Sequence, residues 1–124
     1  MFANTKAFSG FAVDDLEAAR RFYADTLGIG VSGADQLLTL KLTGERDTLI
    51  YLKPDFTPAS YTILNFVVDN VEETVDELTS RGVRFERYDG FDQDEKGISR
   101  AERGPYIAWF KDPAGNILSV LEER

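Results

Sequence analysis

The chain has 124 residues, 43% of them hydrophobic, which fits one packed domain and argues against disorder. It contains no cysteine, which excludes disulfides, thiolate catalysis and cysteine-ligated metals. It also contains no histidine, which removes the commonest metal ligand and the commonest general base.

The net charge of −8 indicates a surface that repels phosphate backbones and anionic membranes. We therefore expect neither a nucleic-acid partner nor a membrane partner. No apolar run approaches membrane-spanning length, and no basic-then-apolar signal opens the chain. These features lead us to expect a cytoplasmic protein.

The first predicted elements are a strand over residues 7–13 and a helix after it. Asp14 is predicted to cap this helix, with Glu17 completing a capping box, and Gly28 is predicted to end it. Apolar residues recur at helical spacing between these two ends, at Leu16, Ala19, Tyr23 and Leu27.

Three further strands are predicted in the first half of the chain, near 29–31, over 37–42 and over 48–52. The turn Gly44-Glu45-Arg46-Asp47 joins the last two as a hairpin. Pro54 and Pro58 mark a linker to the second half.

The second half repeats this order. A strand over 63–68 ends at Asp69-Asn70, and a helical stripe of Val71, Val75 and Leu78 leads to Gly82. Strands are then predicted over 83–88, 106–110 and 116–121. Asp89 to Gly104 is predicted to be a polar loop, long enough to act as a lid, and its segment 92–97 is predicted to be solvated and acidic. Residues 92–97 begin like a calcium-binding loop, but Lys96 and Arg103 stand where that loop needs oxygen ligands, so no calcium site is predicted there.

The two halves form an internal repeat, in which Phe8 falls opposite Ile63, Val13 opposite Val68 and Leu16 opposite Val71. The fold class we predict is therefore α+β: two tandem βαβββ modules, residues 1–54 and 60–124 of a single domain 1–124, forming a curved mixed sheet around a cleft. A ferredoxin-like fold is the alternative, and it needs fewer strands.

Three stretches carry a resemblance to a known family: VDDLEAARRFYADTLG, VVDNVEETVDELTSRGV and WFKDPAGNILSVLE. Together they resemble the vicinal oxygen chelate superfamily, which includes glyoxalase I, extradiol dioxygenases, and fosfomycin- and bleomycin-resistance proteins. The resemblance covers nearly the whole chain. It implies two modules around a cleft, and it leaves function open because one scaffold hosts many chemistries.

In metal-using members of that superfamily, four strand residues hold the ion. The resemblance places these positions at Phe8, Tyr51, Ile63 and Ser119, and none of these residues is a good metal ligand. It also implies that Ser119, which stands mid-strand among apolar residues, faces the cleft in place of a carboxylate. We therefore expect no metal and no other cofactor.

The expected site is a drier cleft that binds an unknown small organic molecule, planar or cationic. Its predicted lining is Phe8, Tyr51, Ile63, Asn65, Trp109 and Ser119. For each of these residues the alternative is ordinary core packing, or for Asn65 a backbone partner. The resemblance also implies a homodimer. Glu122, Glu123 and Arg124 are predicted to be a solvated tail.

Three functions stay open at this point. The first is a metal-free protein that binds a small molecule, as bleomycin-resistance proteins do. The second is a lyase, isomerase or dioxygenase-like enzyme, for which no paired carboxylates are found on a predicted strand face. The third is a dimeric interaction module with no small ligand.

Overall fold

The structure, a computed structural model, describes residues 1–33, 35–44 and 47–123. It divides into two compact units, Met1–Thr57 and Pro58–Arg124. Each unit contains one four-stranded mixed sheet and one main helix, which confirms the predicted α+β class with two similar modules. No helix within the described ranges is long and apolar enough to cross a membrane.

The first unit contains β1 to β4 and α1. Its sheet has the order β1-β4-β3-β2, with β1 parallel to β4 and the other pairs antiparallel. The helix α1 continues directly into a π-helical segment, Arg21–Thr26. The bounds are β1 Gly10–Val13, α1 Leu16–Arg20, β2 Gly30–Ser32, β3 Leu37–Lys41 and β4 Thr48–Leu52. Glu45 and Arg46 of the predicted hairpin turn lie outside the described residues.

The second unit contains β5 to β8 and α2, in the sheet order β5-β8-β7-β6. Here β5 runs parallel to β8, and the other pairs are antiparallel, so the sheet repeats the pattern of the first unit. The bounds are β5 Thr62–Val67, α2 Val71–Ser80, β6 Ser99–Arg100, β7 Tyr106–Lys111 and β8 Ile117–Glu122.

The helix starts differ from the prediction in the first unit. Asp15, not Asp14, is the N-cap of α1, and its carboxylate accepts a hydrogen bond from the Ala18 N–H at 3.1 Å. The capping box is therefore also wrong, and Glu17 instead pairs with Arg21 one turn later. In the second unit Asn70 caps α2 through the Glu73 N–H at 3.0 Å.

The helix ends agree with the prediction. Gly28 follows the π-helical segment with φ of +73°, a backbone conformation that residues with a Cβ rarely adopt. The Ile29 N–H then bonds back to the Tyr23 carbonyl at 2.9 Å. The apolar stripe of α2, Val71, Val75 and Leu78, is buried as expected.

One sheet face in each unit carries the helix. In the first unit the Phe11 ring lies 5.8 Å from the Tyr23 ring, which places Phe11 and its row partners Ile50 and Leu38 on the face that carries the π-helical continuation of α1. In the second unit the Glu122 carboxylate accepts a hydrogen bond from the Val71 N–H at 2.9 Å. Because side chains alternate along a strand, Glu122, Val120 and Leu118 lie on the face that carries α2. We call the opposite face of each sheet its helix-distal face.

This bond also corrects the predicted tail. Glu122 is the last residue of β8, and its charge lies at the N-terminus of α2, where the helix dipole favours an anion. Glu123 is exposed, and Arg124 lies outside the described residues.

The predicted strand 83–88 does not form; only Phe85 makes an isolated bridge, to Phe110 of β7. The side chain of Gln93 takes the backbone groups that a strand would use. It accepts from the Tyr88 N–H and donates to the Glu86 carbonyl, both at 2.9 Å. The strand that pairs with β7 is instead β6, which lies inside the predicted loop.

Ion pairs and hydrogen bonds hold the segment 92–100 against the rest of the second unit, which contradicts the prediction of a solvated acidic loop. Lys96 pairs with Glu72 and Asp76 of α2 at 3.0 and 2.9 Å. Asp94 accepts from the N–H groups of Lys96 and Ile98, and it pairs with Arg100. Partial burial alone would raise the pKa of Asp94, but these bonds outweigh it and hold that pKa below its ordinary value.

The turn Asp112–Asn116 joins β7 to β8 as predicted, with Gly115 at φ of +93°. The buried Asp112 carboxylate organises it. It accepts from the N–H groups of Ala114 and Asn116 at 3.0 and 2.9 Å and from the Asn116 side chain at 3.0 Å. This turn sets the register in which Trp109 stands opposite Ser119.

Candidate ligand-binding site

Three of the predicted site residues form one row across the second sheet. Asn65 of β5 pairs with Ser119 of β8, and Ser119 pairs with Trp109 of β7. All three lie on the helix-distal face, because they alternate with Leu118 and Phe110. We call Asn65, Ser119 and Trp109 the site row. Its outer members stand two strand spacings apart, about 10 Å between Cα atoms.

A side-chain hydrogen bond joins two members of the row. The Ser119 hydroxyl donates to Oδ1 of Asn65 at 2.5 Å. Ser119 is fully buried, with 0% of its surface exposed, whereas Asn65 is exposed. Among the described residues no hydrogen bond uses the Nδ2 of Asn65. Because the buried hydroxyl holds Oδ1, the two N–H donors of Nδ2 are presented outward.

Trp109, the third member, is the sole tryptophan of the chain and is 8% exposed. Two rings from the segment before Gln93 contact it: Phe91 at 4.9 Å and Tyr88 at 5.6 Å between centroids. Phe91 is 54% exposed, so the cluster reaches solvent. Phe91 therefore provides most of the exposed aromatic surface of this cluster.

The sequence analysis missed Tyr88 and Phe91 as site residues. The sequence pattern predicts a strand at Tyr88 and a loop at Phe91. A signal existed for Phe91, because it is the only aromatic residue between Asp89 and Gly104. The Tyr88 hydroxyl is buried without a hydrogen-bond partner in the described part of the chain. Burial raises the pKa of Tyr88, the negative charge of Glu86 raises it further, and the hydroxyl therefore remains protonated at neutral pH.

The other three predicted residues are not members of this row. Phe8 precedes β1 and is 63% exposed, so it does not lie in a strand. Ile63 falls where the pairing of β5 with β8 shifts, between Thr62 and Leu64. This bulge interrupts the alternation that was expected to place Ile63 and Asn65 on one face.

Tyr51 lies on the helix-distal face of the first sheet, beside Ala12 and Leu37. It is 41% exposed and lines an open depression of about 580 Å³ together with residues 35–37 and Leu52. A depression this open to solvent covers little of a ligand's surface.

The first unit provides an internal comparison for the site row. The repeat offset of 55 residues sets Gly10 opposite Asn65, and strand pairing then sets Leu49 opposite Ser119 and Thr39 opposite Trp109. This equivalent row contains neither an amide nor an aromatic ring. The polar pair and the ring cluster are therefore features of the second unit, not of the module in general.

The superfamily resemblance implies a metal at Phe8, Tyr51, Ile63 and Ser119, and the residues present do not fit one. The side chains of Phe8 and Ile63 carry no donor atom, and the Ser119 hydroxyl is buried and engaged with Asn65. Across the described ranges no three or more carboxylates come together in a way that could hold a metal ion. The chain therefore lacks the donor set that metal-using relatives would need.

The chain thus consists of two βαβββ modules, and the second module carries polar and aromatic groups on its helix-distal face. Residues 7–120 match the model of the Glyoxalase/Bleomycin resistance protein/Dioxygenase superfamily. The chain belongs to this family.

Individual relatives carry different printed descriptions. The uncharacterized protein YraH of Bacillus subtilis is 27% identical over 125 residues, which cover 89% of this chain and 91% of that protein. The crystal structure of TnmS3, an antibiotic binding protein from Streptomyces sp. CB03234, has a TM-score of 0.72 at 24% identity and covers 100% of this chain and 99% of that one. The lactoylglutathione lyase of Agrobacterium tumefaciens has a TM-score of 0.66 at 25% identity, covering 96% and 93%.

Proposed function

We propose that the chain is a metal-free protein that binds a small organic molecule on the helix-distal face of its second unit. The observation that carries the proposal is the site row, in which an outward amide and a ring cluster stand on one sheet face. Ligand sites commonly combine aromatic surface with a few well-placed polar groups, and this face offers both.

The comparison between the two units supports this placement. Both modules build the same sheet, so a residue pattern needed only for folding would be expected in both. The equivalent row of the first unit is Gly10, Leu49 and Thr39. That unit therefore builds the same sheet without these polar and aromatic groups. The amide, the buried hydroxyl and the three rings of the second unit are additions to that common frame.

The chemistry of the row favours binding over catalysis. The Ser119 hydroxyl donates to an amide oxygen, which cannot accept its proton as a base would. Neither Asn65 nor Trp109 is an acid or a base near neutral pH. Among structural relatives, one is described as antibiotic binding and one as a lyase, so the fold permits both functions. The residues of this row agree with the first description.

The experiment is a thermal-shift screen of planar organic molecules, followed by calorimetry of the first compound that raises the melting temperature. Trp109→Ala should weaken its binding by about 1–3 kcal/mol, because a stacked aromatic anchor is lost. Phe91→Ala should weaken binding in the same direction, and Phe91 is exposed enough to be replaced without unfolding the unit.

Tyr51→Ala is the matched control, since it removes an exposed ring from the first unit. It should leave the dissociation constant unchanged. If the Trp109 and Phe91 variants bind the compound as the wild type does, the ligand does not lie on this face, and the interaction-module function gains.

A further inference from the structure

We infer that the Nδ2 of Asn65 donates a hydrogen bond to an acceptor on the ligand. Ser119 is the positioning residue that orients the Asn65 amide for this bond. The ligand class is thus a planar ring system that carries a carbonyl or similar acceptor at its edge. This inference rests on the proposed function and deepens it, because it assigns chemical selectivity to the same face.

The argument begins with the two-sidedness of a side-chain amide. One end of Asn65 is an acceptor and the other carries two donors, so a freely rotating amide would serve either kind of ligand group. Ser119 removes that freedom, because its hydroxyl donates to Oδ1 at 2.5 Å. Turning the amide over would make the Ser119 oxygen accept from Nδ2 and leave the buried Ser119 O–H without an acceptor among the described residues, and an unsatisfied buried donor costs free energy.

Burial makes this preference strong. Ser119 is 0% exposed, so its hydroxyl cannot exchange the amide oxygen for bulk water at no cost. Asn65 is exposed, so the Nδ2 end remains accessible to a ligand. The donor end is therefore fixed and available, whereas the acceptor end is occupied.

The second requirement, planarity, comes from the other end of the row. Trp109 lies about 10 Å from Asn65 by strand spacing, with Ser119 between them as a small residue. A fused bicyclic ring placed over Ser119 would reach from the outward amide to the Trp109 and Phe91 rings. The Asn65 amide would then meet the polar edge of that ligand.

The probes are three bicyclic molecules of similar size that differ in polarity. 1-Indanone carries an acceptor and no donor, indole carries a donor and no conventional acceptor, and indane carries neither. Because Trp109 is the sole tryptophan, its indole N–H gives a single resonance in the ¹H–¹⁵N spectrum of labelled protein. Titration of each unlabelled probe against that resonance yields a dissociation constant for this face.

The wild type should bind 1-indanone roughly 2- to 13-fold more tightly than indane, the ratio expected for one net hydrogen bond. Indole should show no such advantage over indane. Asn65→Asp should invert the order, because the carboxylate still accepts from Ser119 but now presents an acceptor outward. Ser119→Ala should bring the affinities for 1-indanone and indole closer together, because the amide can then turn either end outward.

The inversion by Asn65→Asp is the decisive result, since a purely structural role would change all three affinities together. Asn65 is exposed, so this variant should fold even if replacement of the buried Ser119 destabilises the unit. If the wild type binds all three probes equally, the inference is overturned and the small-molecule proposal stands. If no probe shifts the Trp109 resonance up to its limit of solubility, this face does not bind planar molecules of this kind and both proposals fail.

Discussion

The Asp112 carboxylate should be a sensitive point in the second unit. It accepts hydrogen bonds from two backbone N–H groups and from Nδ2 of Asn116, at 2.9–3.0 Å. Asp112 and Asn116 are 4% and 2% exposed, so the donors on Asn116 have little access to water. Replacing Asp112 by alanine removes this acceptor from the turn between β7 and β8.

The expected loss follows from these contacts. A hydrogen bond to a charged group contributes about 1.5–3 kcal/mol, and the two buried donors belong to Asn116, so Asp112→Ala should lower the free energy of unfolding by about 3–6 kcal/mol. Asp112→Asn keeps one acceptor oxygen for the backbone N–H groups and loses the bond from the Asn116 side chain. Its loss should be smaller, about 1–2 kcal/mol.

Urea denaturation followed by Trp109 fluorescence measures both values, because the sole tryptophan lies in β7. Asp92→Ala, at an exposed position of the same unit, is the control and should stay within about 0.5 kcal/mol of the wild type. A loss below about 1 kcal/mol for Asp112→Ala would refute the reasoning, since the carboxylate would not then hold the turn.

Three further outcomes are expected. The pKa of Asp94 lies below its ordinary value in the folded chain, so its contribution to stability should be lost as the pH falls through that lowered pKa; Asp94→Asn should flatten this acid limb in urea denaturation from pH 7 to 3. Elemental analysis should find no stoichiometric zinc, nickel, iron or manganese, even in Ser119→Glu, which restores only one of four ligand positions. We propose a homodimer that covers the edge strand β5 of the second sheet, since an edge strand presents unpaired backbone groups; a monomer at micromolar concentration in sedimentation would contradict it.

The sequence predicted the frame of this protein well where local signals agree. The helix stops at Gly28 and Gly82 need a positive φ, and both have one, at +73° and +92°. The repeat also contained the right answer for the first helix. Because Asn70 caps α2, an offset of 55 residues points to Asp15 as the cap of α1, whereas composition alone could not choose between two adjacent aspartates.

The predictions from sequence were wrong where a side chain hydrogen-bonds to the backbone of another segment. Residues 83–88 have the composition of a strand, but Gln93 binds the backbone of Glu86 and Tyr88 and diverts it. Glu122 has the sequence context of a solvated tail, but its carboxylate accepts a hydrogen bond from the Val71 N–H. Such contacts depend on the folded arrangement, and no periodicity in the sequence encodes them.

The candidate site depends on the same kind of contact. The sequence grouped Asn65 with Ile63 by strand alternation and Ser119 by the family resemblance, whereas strand pairing puts Asn65, Ser119 and Trp109 in one row. Alternation could not reveal the bulge at Ile63 or the exposed position of Phe8 before β1. It also could not show that Tyr88 and Phe91 contact Trp109, since both arrive from an irregular segment.

The row in the first unit has a consequence for the number of ligands that one chain can hold. A Cβ added to Gly10 would lie 2.9 Å from the Leu49 carbonyl oxygen, closer than a real Cβ approaches. No side chain, and hence no counterpart of Asn65, fits there without forcing β1 away from β4. The duplicated architecture therefore predicts a stoichiometry of one ligand per chain, and substitution at Leu49 and Thr39 alone would not create a second equivalent site.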